Sequence, residues 1–308
     1  MSADALDTPF ETKKPKKTTI TLFDWLVFLG LSIIWGFSFF FIKKGLEVFS
    51  PVDVAAFRMV IAFFTFIPFI IIRRNKLKIE PQKLKLIPFL GLFGNLIPAL
   101  LFCTAGAKIE SALSGIMNST TPLFALCIGT IFFGIIMTQR KIIGVAVGII
   151  GTLIIVLSNQ KIETINWYIL LPLLATISYG LNANLFKYYF QKEHPIHVAL
   201  WQYFFVGLFC LAYLIYSGAI QKIIAEPLYC WHSLKYLLLL GIFGTAIAQV
   251  YFNILTQRTS ALFATMTTYV IPFVSIMIGL FIGEKIMHLH ILGLLIILLG
   301  IYIGSKDG

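Results

Sequence analysis

Long apolar runs, separated by short clusters of charged residues, prolines and polar residues, set the rhythm of this chain. Runs of at least about 17 apolar residues, enough to cross the hydrocarbon of a bilayer, lie near 24–42, 53–72, 85–106, 112–136 and 142–158. Five more lie near 167–187, 197–217, 234–256, 260–282 and 289–305. In lipid a backbone must satisfy its own hydrogen bonds, so each run is predicted to be a helix. The expected fold class is an all-α polytopic membrane protein with ten transmembrane helices. The first 23 residues are polar and carry Lys13, Lys14, Lys16 and Lys17. The run that follows them is span-length and shows no small-residue cleavage site, so residues 1–23 read as a retained cytoplasmic tail and not as a signal peptide.

The pattern also repeats. A shift of 144 lays Trp35-Gly36 on Tyr179-Gly180, Ser38 on Asn182, Lys43 on Lys187 and Pro51 on Pro195 without a gap. A shift of 150 lays Leu84-Lys85 on Leu234-Lys235, Gly91 on Gly241, Phe93-Gly94 on Phe243-Gly244 and Pro122 on Pro272. A shift of 149 pairs Gly134 with Gly283, Gly144 with Gly293 and Gly151 with Gly300. The chain therefore reads as one five-span unit written twice, residues 24–158 and 159–308. Five is odd, so the second copy enters the membrane from the opposite face, and the two units are inverted repeats related by an axis in the membrane plane. Repeats of this kind typically build alternating access around a site near the midplane.

Composition agrees with the pattern. Of 308 residues, 59% are hydrophobic and only 12% charged, which excludes soluble, disordered and fibrous classes. The net charge of +11 is not a nucleic-acid signal. With the N-terminus placed inside, sixteen Lys and Arg fall in cytoplasmic segments and seven in outer ones, with Arg58 left inside a span. That bias predicts both termini in the cytoplasm.

Polar side chains are costly in hydrocarbon, so polar stripes mark faces turned toward a cavity. On span eight Thr245, Gln249 and Asn253 recur every four residues and Gln257 continues the line. Span four offers Ser111, Ser114, Asn118 and Pro122; span nine answers with Thr265, Thr268 and Pro272. Spans one and six bring Trp35, Ser38 and Phe39, and Tyr179 and Asn182, with Asn95 on span three and Trp201 and Gln202 on span seven. The expected substrate-contacting set is Trp35, Ser38, Phe39, Asn95, Asn118, Tyr179, Asn182, Trp201, Gln202, Gln249, Asn253, Thr265 and Thr268. Rings would wall the cavity and amides and hydroxyls would orient a small-molecule substrate. Pro122 and Pro272 free the carbonyls of Asn118 and Thr268, either as packing kinks or, given their symmetric placement, as a hinge or gate. Arg58 either snorkels outward, a structural role and the favoured reading, or closes an outer gate against a carbonyl or carboxylate. Lys43, Lys187, Asp24 and Glu284 read as ordinary solvated heads at span ends. Trp25, Trp167 and Tyr302 read as interfacial anchors.

Glycines 144, 148 and 151 on span five and 293, 300 and 304 on span ten present small residues along one face. That suits scaffold packing or a homodimer seam. Other chemistry is not encoded. His288 and His290 do not share a helix face, and no acidic ligand joins His194 and His197, so no metal site is expected. Gly91-Leu-Phe-Gly94 and its copy lack the Lys-Ser/Thr of a nucleotide loop, and a serine hydrolase would need a buried base. No cofactor, enzymatic activity or disulfide framework is expected.

Trp35-Gly36-Phe37-Ser38-Phe39, Lys43, Pro51 and Arg58 resemble the start of an EamA-type unit of the drug/metabolite transporter superfamily. Ser260-Ala261-Leu262, Pro272, Gly283-Glu284-Lys285 and Gly293 resemble its end. The first half departs from the pattern, with Thr138-Gln139-Arg140 where a carboxylate is expected. The resemblance implies ten helices in a bacterial inner membrane and a cavity walled by spans one, three, four, six, eight and nine. It implies passage of small metabolites, often export of amino acids or related compounds. Two other readings are uptake or exchange of a nucleoside-like or sulfonium compound, and a non-transporting scaffold or enzyme.

Overall fold

The computed structural model describes residues 20–73, 79–136, 138–158 and 166–305. The lysines of the N-terminal tail, the basic segment 74–78, Lys161 and Lys306 lie outside the described residues, and with them much of the charge count that orients the chain. Ten long helices follow in order. They are α1 (Leu22–Gly45), α2 (Pro51–Arg73), α3 (Ile87–Gly106), α4 (Ser111–Phe133) and α5 (Gln139–Ser158), then α6 (Trp167–Tyr189), α7 (Pro195–Tyr216), α8 (Pro227–Arg258), α9 (Ala261–Phe281) and α10 (His288–Ser305). Among the described residues nine are long and apolar enough to cross a membrane, and α10 is a shorter apolar helix.

The ends of these helices follow from local chemistry. Thr21 and Asp24 form a reciprocal capping box that starts α1. Pro195 and Pro227 open α7 and α8 at the position where a missing N–H costs nothing. Gly134 and Gly283, at φ of +68° and +81°, follow α4 and α9 in a left-handed conformation that disfavours a side chain. Helix α8 begins at Pro227, seven residues before the predicted 234, so Lys235 is helical and not in a loop. Its polar first turns are accommodated by tertiary contacts: Ser233 donates to the Lys44 carbonyl at 2.6 Å and His232 meets Glu47 at 3.1 Å.

Contacts between the halves come in exchanged pairs. Gly36 of α1 is filled by Val274 of α9, and Gly180 of α6 by Ala125 of α4. Gly94 of α3 receives the side chain of Asn182, and Gly244 of α8 receives that of Ser38. Gly91 lies against the Gln202 backbone as Gly241 lies against that of Arg58. Each pair maps onto the other under the sequence shifts with the halves swapped, which is the action of a two-fold operation.

Helices α5 and α10 pack along their length on their glycines. A Cβ at Gly144 would sit 2.4 Å from the Gly300 carbonyl oxygen, and one at Gly151 would sit 2.6 Å from that of Gly293. The small-residue faces are therefore consumed inside the chain. A homodimer seam on these helices would have to use their outer faces, where Ile142, Ile150, Leu153, Leu292, Leu295 and Leu299 are exposed.

Two interruptions matter for the site. Helices α3 and α8 each contain a widened π-type turn, Leu92–Leu96 and Ile242–Ile247, at positions related by the shift of 150. Helix α4 breaks at Ser119–Thr120, and α9 passes through a tight 3-10 turn, Met266–Tyr269.

Candidate functional site

The widened turns and broken helices face one another at the centre of the bundle, where they enclose a cavity of about 790 Å³, counting the space at its openings. A π-type turn leaves carbonyls without their helical donors, and such turns frequently occur at functional sites. Here side chains from the other half serve them. The Trp35 indole donates to the Gly244 carbonyl at 3.1 Å and Ser178 donates to that of Phe93 at 2.6 Å.

The cavity is lined by rings and by hydrogen-bonding groups. Trp35, Phe39, Phe102, Tyr179, Tyr203 and Phe252 supply the rings; Phe39 meets Phe102 edge-on at 5.3 Å, and Trp35 meets Phe252 at 5.5 Å. Ser38, Arg58, Asn95, Asn118, Thr121, Asn182, Thr245, Gln249, Thr265 and Thr268 supply the polar groups. Most are held by a second contact. The Gln249 side chain donates to Asn253 Oδ1 at 2.9 Å, and Thr268 donates to the Thr265 carbonyl at 2.8 Å. The Asn118 carbonyl freed by Pro122 is taken by the Thr121 hydroxyl at 2.7 Å.

Of the residues expected from sequence to contact substrate, Trp35, Ser38, Phe39, Asn95, Asn118, Tyr179, Asn182, Gln249, Thr265 and Thr268 are brought together here. Trp201, Gln202 and Asn253 are not among the lining residues. Trp201 packs beside its own helix neighbours Phe204 and Phe205. Gln202 is fully buried where α7 lies against Gly91. Asn253 is fully buried and positions Gln249 from behind, its amide reaching the Pro195 carbonyl at 3.4 Å. The reason lies in helix geometry. A spacing of four drifts about 40° per step from a 3.6-residue turn, so the lining residue after Gln249 is Phe252, and Gln257 ends by tying down the carbonyls of Phe190 and Glu193.

Pro122 and Pro272 do not line this cavity; each opens the second segment of a broken helix. Helices α2 and α7 join the expected walls through Arg58, Met59 and Tyr203. Arg58 does not snorkel. It is 8% exposed, and its Nε donates to Thr245 Oγ1 at 2.6 Å while Nη2 reaches the Gly244 carbonyl at 3.4 Å. Thr245 was legible as a member of the span-eight stripe, and Gly94 and Gly244 as a repeated pair. Phe102 and Phe252 carry no signal that separates them from lipid-facing phenylalanines.

The carboxylates at the span ends, Glu284 and Asp24, are buried and are not solvated heads. The Glu284 side chain, 4% exposed, accepts from Lys43 at 2.6 Å, from the Ser111 N–H and hydroxyl at 2.9 and 2.8 Å, and from the Ala112 N–H at 3.0 Å. This latch ties α1, α4 and α9 together at one end of the cavity. Burial pushes the Glu284 carboxyl up, but Lys43 and the donors of Ala112 and Ser111 more than offset it and hold it below the usual carboxylate range. At the other end Lys187, the repeat mate of Lys43, has no such carboxylate. It donates to the carbonyls of Thr256, Gln257 and Thr259 at 3.0, 3.0 and 2.9 Å, closing the C-terminus of α8. Arg258 pairs with Asp24 at the same end.

A bundle of apolar helices with a polar and aromatic chamber between two exchanged halves is the architecture of a membrane transporter. The sequence matches the EamA-like transporter family twice, over residues 23–157 and 166–305, and the chain belongs to that family. It is similar to an uncharacterized transporter of Archaeoglobus fulgidus, 24% identical over 91% of this chain and 97% of the relative. The uncharacterized inner membrane transporter YedA of Escherichia coli K12 is 26% identical over 83% and 81%. A probable amino-acid metabolite efflux pump of Salmonella typhimurium is 24% identical over 91% and 94%. One crystal structure shares the fold at 16% identity, with a TM-score of 0.60 over 92% of this chain and 96% of its own.

Proposed function

We propose that this transporter moves amino acids or related small metabolites out of the cell by rocking of its two halves about the central cavity. The observation that carries the reading is the placement of that chamber between two ends that are tied by different bonds. The latch of Lys43 with Glu284 joins α1, α4 and α9, and the cap of Lys187 joins α6 to α8; both sets include cavity walls. Releasing one while the other holds would expose the same chamber to one compartment at a time. The mixed rings, amides and hydroxyls of the chamber suit a small metabolite with an apolar part and hydrogen-bonding groups. The name of the Salmonella typhimurium relative supports substrate class and direction, and the name of YedA supports an inner-membrane location. The excess of Lys and Arg on one side supports cytoplasmic termini.

Efflux of a radiolabelled mixture of amino acids and their hydroxy-acid and N-acyl relatives from loaded vesicles tests the reading. Gln249→Leu combined with Asn118→Leu should abolish flux while the purified protein remains monodisperse. Unchanged flux would remove the cavity assignment.

A further inference from the structure

The cavity carries a single fixed charge. Among its lining residues Arg58 is ionic, and none is Asp, Glu, Lys or His. A guanidinium more than nine-tenths buried ordinarily pairs with a carboxylate. The partners of Arg58 are instead neutral: the Thr245 hydroxyl and the Gly244 carbonyl. The acids at the two ends are engaged elsewhere, Glu284 by Lys43 and Asp24 by Arg258. Nor is the charge a by-product of duplication. The residue 144 positions on is Gln202, which occupies the equivalent place beside Gly91 and is neutral.

Unpartnered buried groups surround the guanidinium. Asn95 is 6% exposed; its Oδ1 accepts from Tyr203, whose hydroxyl also lies 3.4 Å from the Thr245 carbonyl, while its Nδ2 has no partner. Asn95, Tyr203, Thr245 and Arg58 are thus one connected cluster with a free donor. Asn182, 3% exposed and seated on Gly94, leaves its Oδ1 without a donor. A buried polar group left unpaired costs about 1–3 kcal/mol, and both residues line the cavity, so a ligand toward which these amides turn would relieve that cost.

We propose that Arg58 is the carboxylate-binding residue of the cavity and that the site selects monoanionic carboxylates whose second polar group is a neutral donor. This rests on the transport reading and narrows its substrate class from amino acids to related carboxylates that lack the ammonium, such as hydroxy acids and N-acyl amino acids. In this assignment the substrate carboxylate accepts from Arg58 and Asn95 Nδ2, and a hydroxyl or amide N–H donates to Asn182 Oδ1. The hydrocarbon part lies among the rings of Phe39, Phe102 and Phe252. One anion neutralises the one cation. A substrate ammonium would find no carboxylate and would add a second positive charge in a low-dielectric chamber, so a zwitterion is disfavoured by the charge the cavity lacks. A dianionic phosphate would leave a negative charge without a partner.

Three probes with the same phenyl ring separate these cases: 3-phenyllactate, phenylalanine, and 2-phenylethylamine, which lacks the carboxylate. Binding to purified protein in nanodiscs is measured by calorimetry. Phenyllactate is expected to bind at least tenfold more tightly than phenylalanine, and phenylethylamine not measurably. Arg58→Gln should weaken phenyllactate at least tenfold, and Arg58→Lys should recover part of that loss, with thermal melts showing both variants folded. Should Arg58→Gln melt with the native fold lost, Asn95→Leu serves instead and should weaken phenyllactate severalfold. Equal or tighter binding of phenylalanine, binding of the amine, absence of phenyllactate binding, or an unchanged affinity in the folded variants would each overturn the proposal. The flux of Gln249→Leu with Asn118→Leu judges the transport reading separately.

Discussion

Replacing Glu284 by Gln tests the latch at its centre. Gln keeps the shape, and its oxygen can still accept from Ser111, but its amide then points a donor at the Ala112 N–H that the carboxylate now accepts at 3.0 Å. Losing that charge-assisted bond and leaving opposed buried donors costs about 1–3 kcal/mol. The ion pair itself contributes at most about 1 kcal/mol, because the Lys43 side chain is 38% exposed and is screened by water. The sum, about 1–4 kcal/mol, shifts the balance toward opening at this end by roughly 5- to 700-fold. Ser114 lies one turn into α4 and is 1% exposed, so a cysteine there reports opening of this end. In a Ser114→Cys background, labelling by a hydrophilic maleimide in nanodiscs should accelerate by that factor when Glu284→Gln is added. A cysteine at Thr256, fully buried at the opposite end, should label no faster. Equal acceleration at both positions, or less than a twofold change at 114, would refute the latch.

Acidification should act in the same direction. Since the folded protein holds the Glu284 carboxyl below its ordinary value of 4.5, the latch contributes fully above that pH and is lost as the pH falls through the lower folded value; labelling at 114 should rise only in that acidic window. Lys187→Met removes three carbonyl caps and should weaken the other end by about 1–3 kcal/mol, read as faster labelling of Thr256→Cys with little change at 114. Gly151→Ala would place a Cβ 2.6 Å from the Gly293 carbonyl oxygen and 2.8 Å from the Ile297 nitrogen, both backbone, so α5 and α10 must part at about 1–3 kcal/mol and the Tm should fall. Gly30→Ala, with nothing within 4 Å, gains helix propensity and should leave the Tm equal or raised.

Particular residues show where sequence reading succeeds and where it stops. The predicted start of span five, 142, and the observed one, 139, differ by three residues because apolarity and length decide a span locally. Ser38 and Asn182 could be matched from the repeat alone, and both reach the chamber. Asn253 could not be told from Phe252, since the choice depends on the rotation of α8 downstream of its widened turn, to about 40°. Glu284 could be placed at a span end, but its burial depends on the start of α4, more than 170 residues away in the chain.

By itself the sequence determined the ten apolar helices, their duplication, and which of them carry polar residues. The bilayer imposes those features on each segment separately: it demands internal backbone bonding, a span's length, and an interior face for every costly polar group. Only the tertiary structure decided that Arg58 faces the chamber without a carboxylate, that Lys43 is latched while Lys187 caps a helix, and that the glycines of α5 and α10 meet each other. Those outcomes rest on helix rotation and on contacts exchanged between the two halves. Residues far apart in sequence set both together, and no local pattern encodes either.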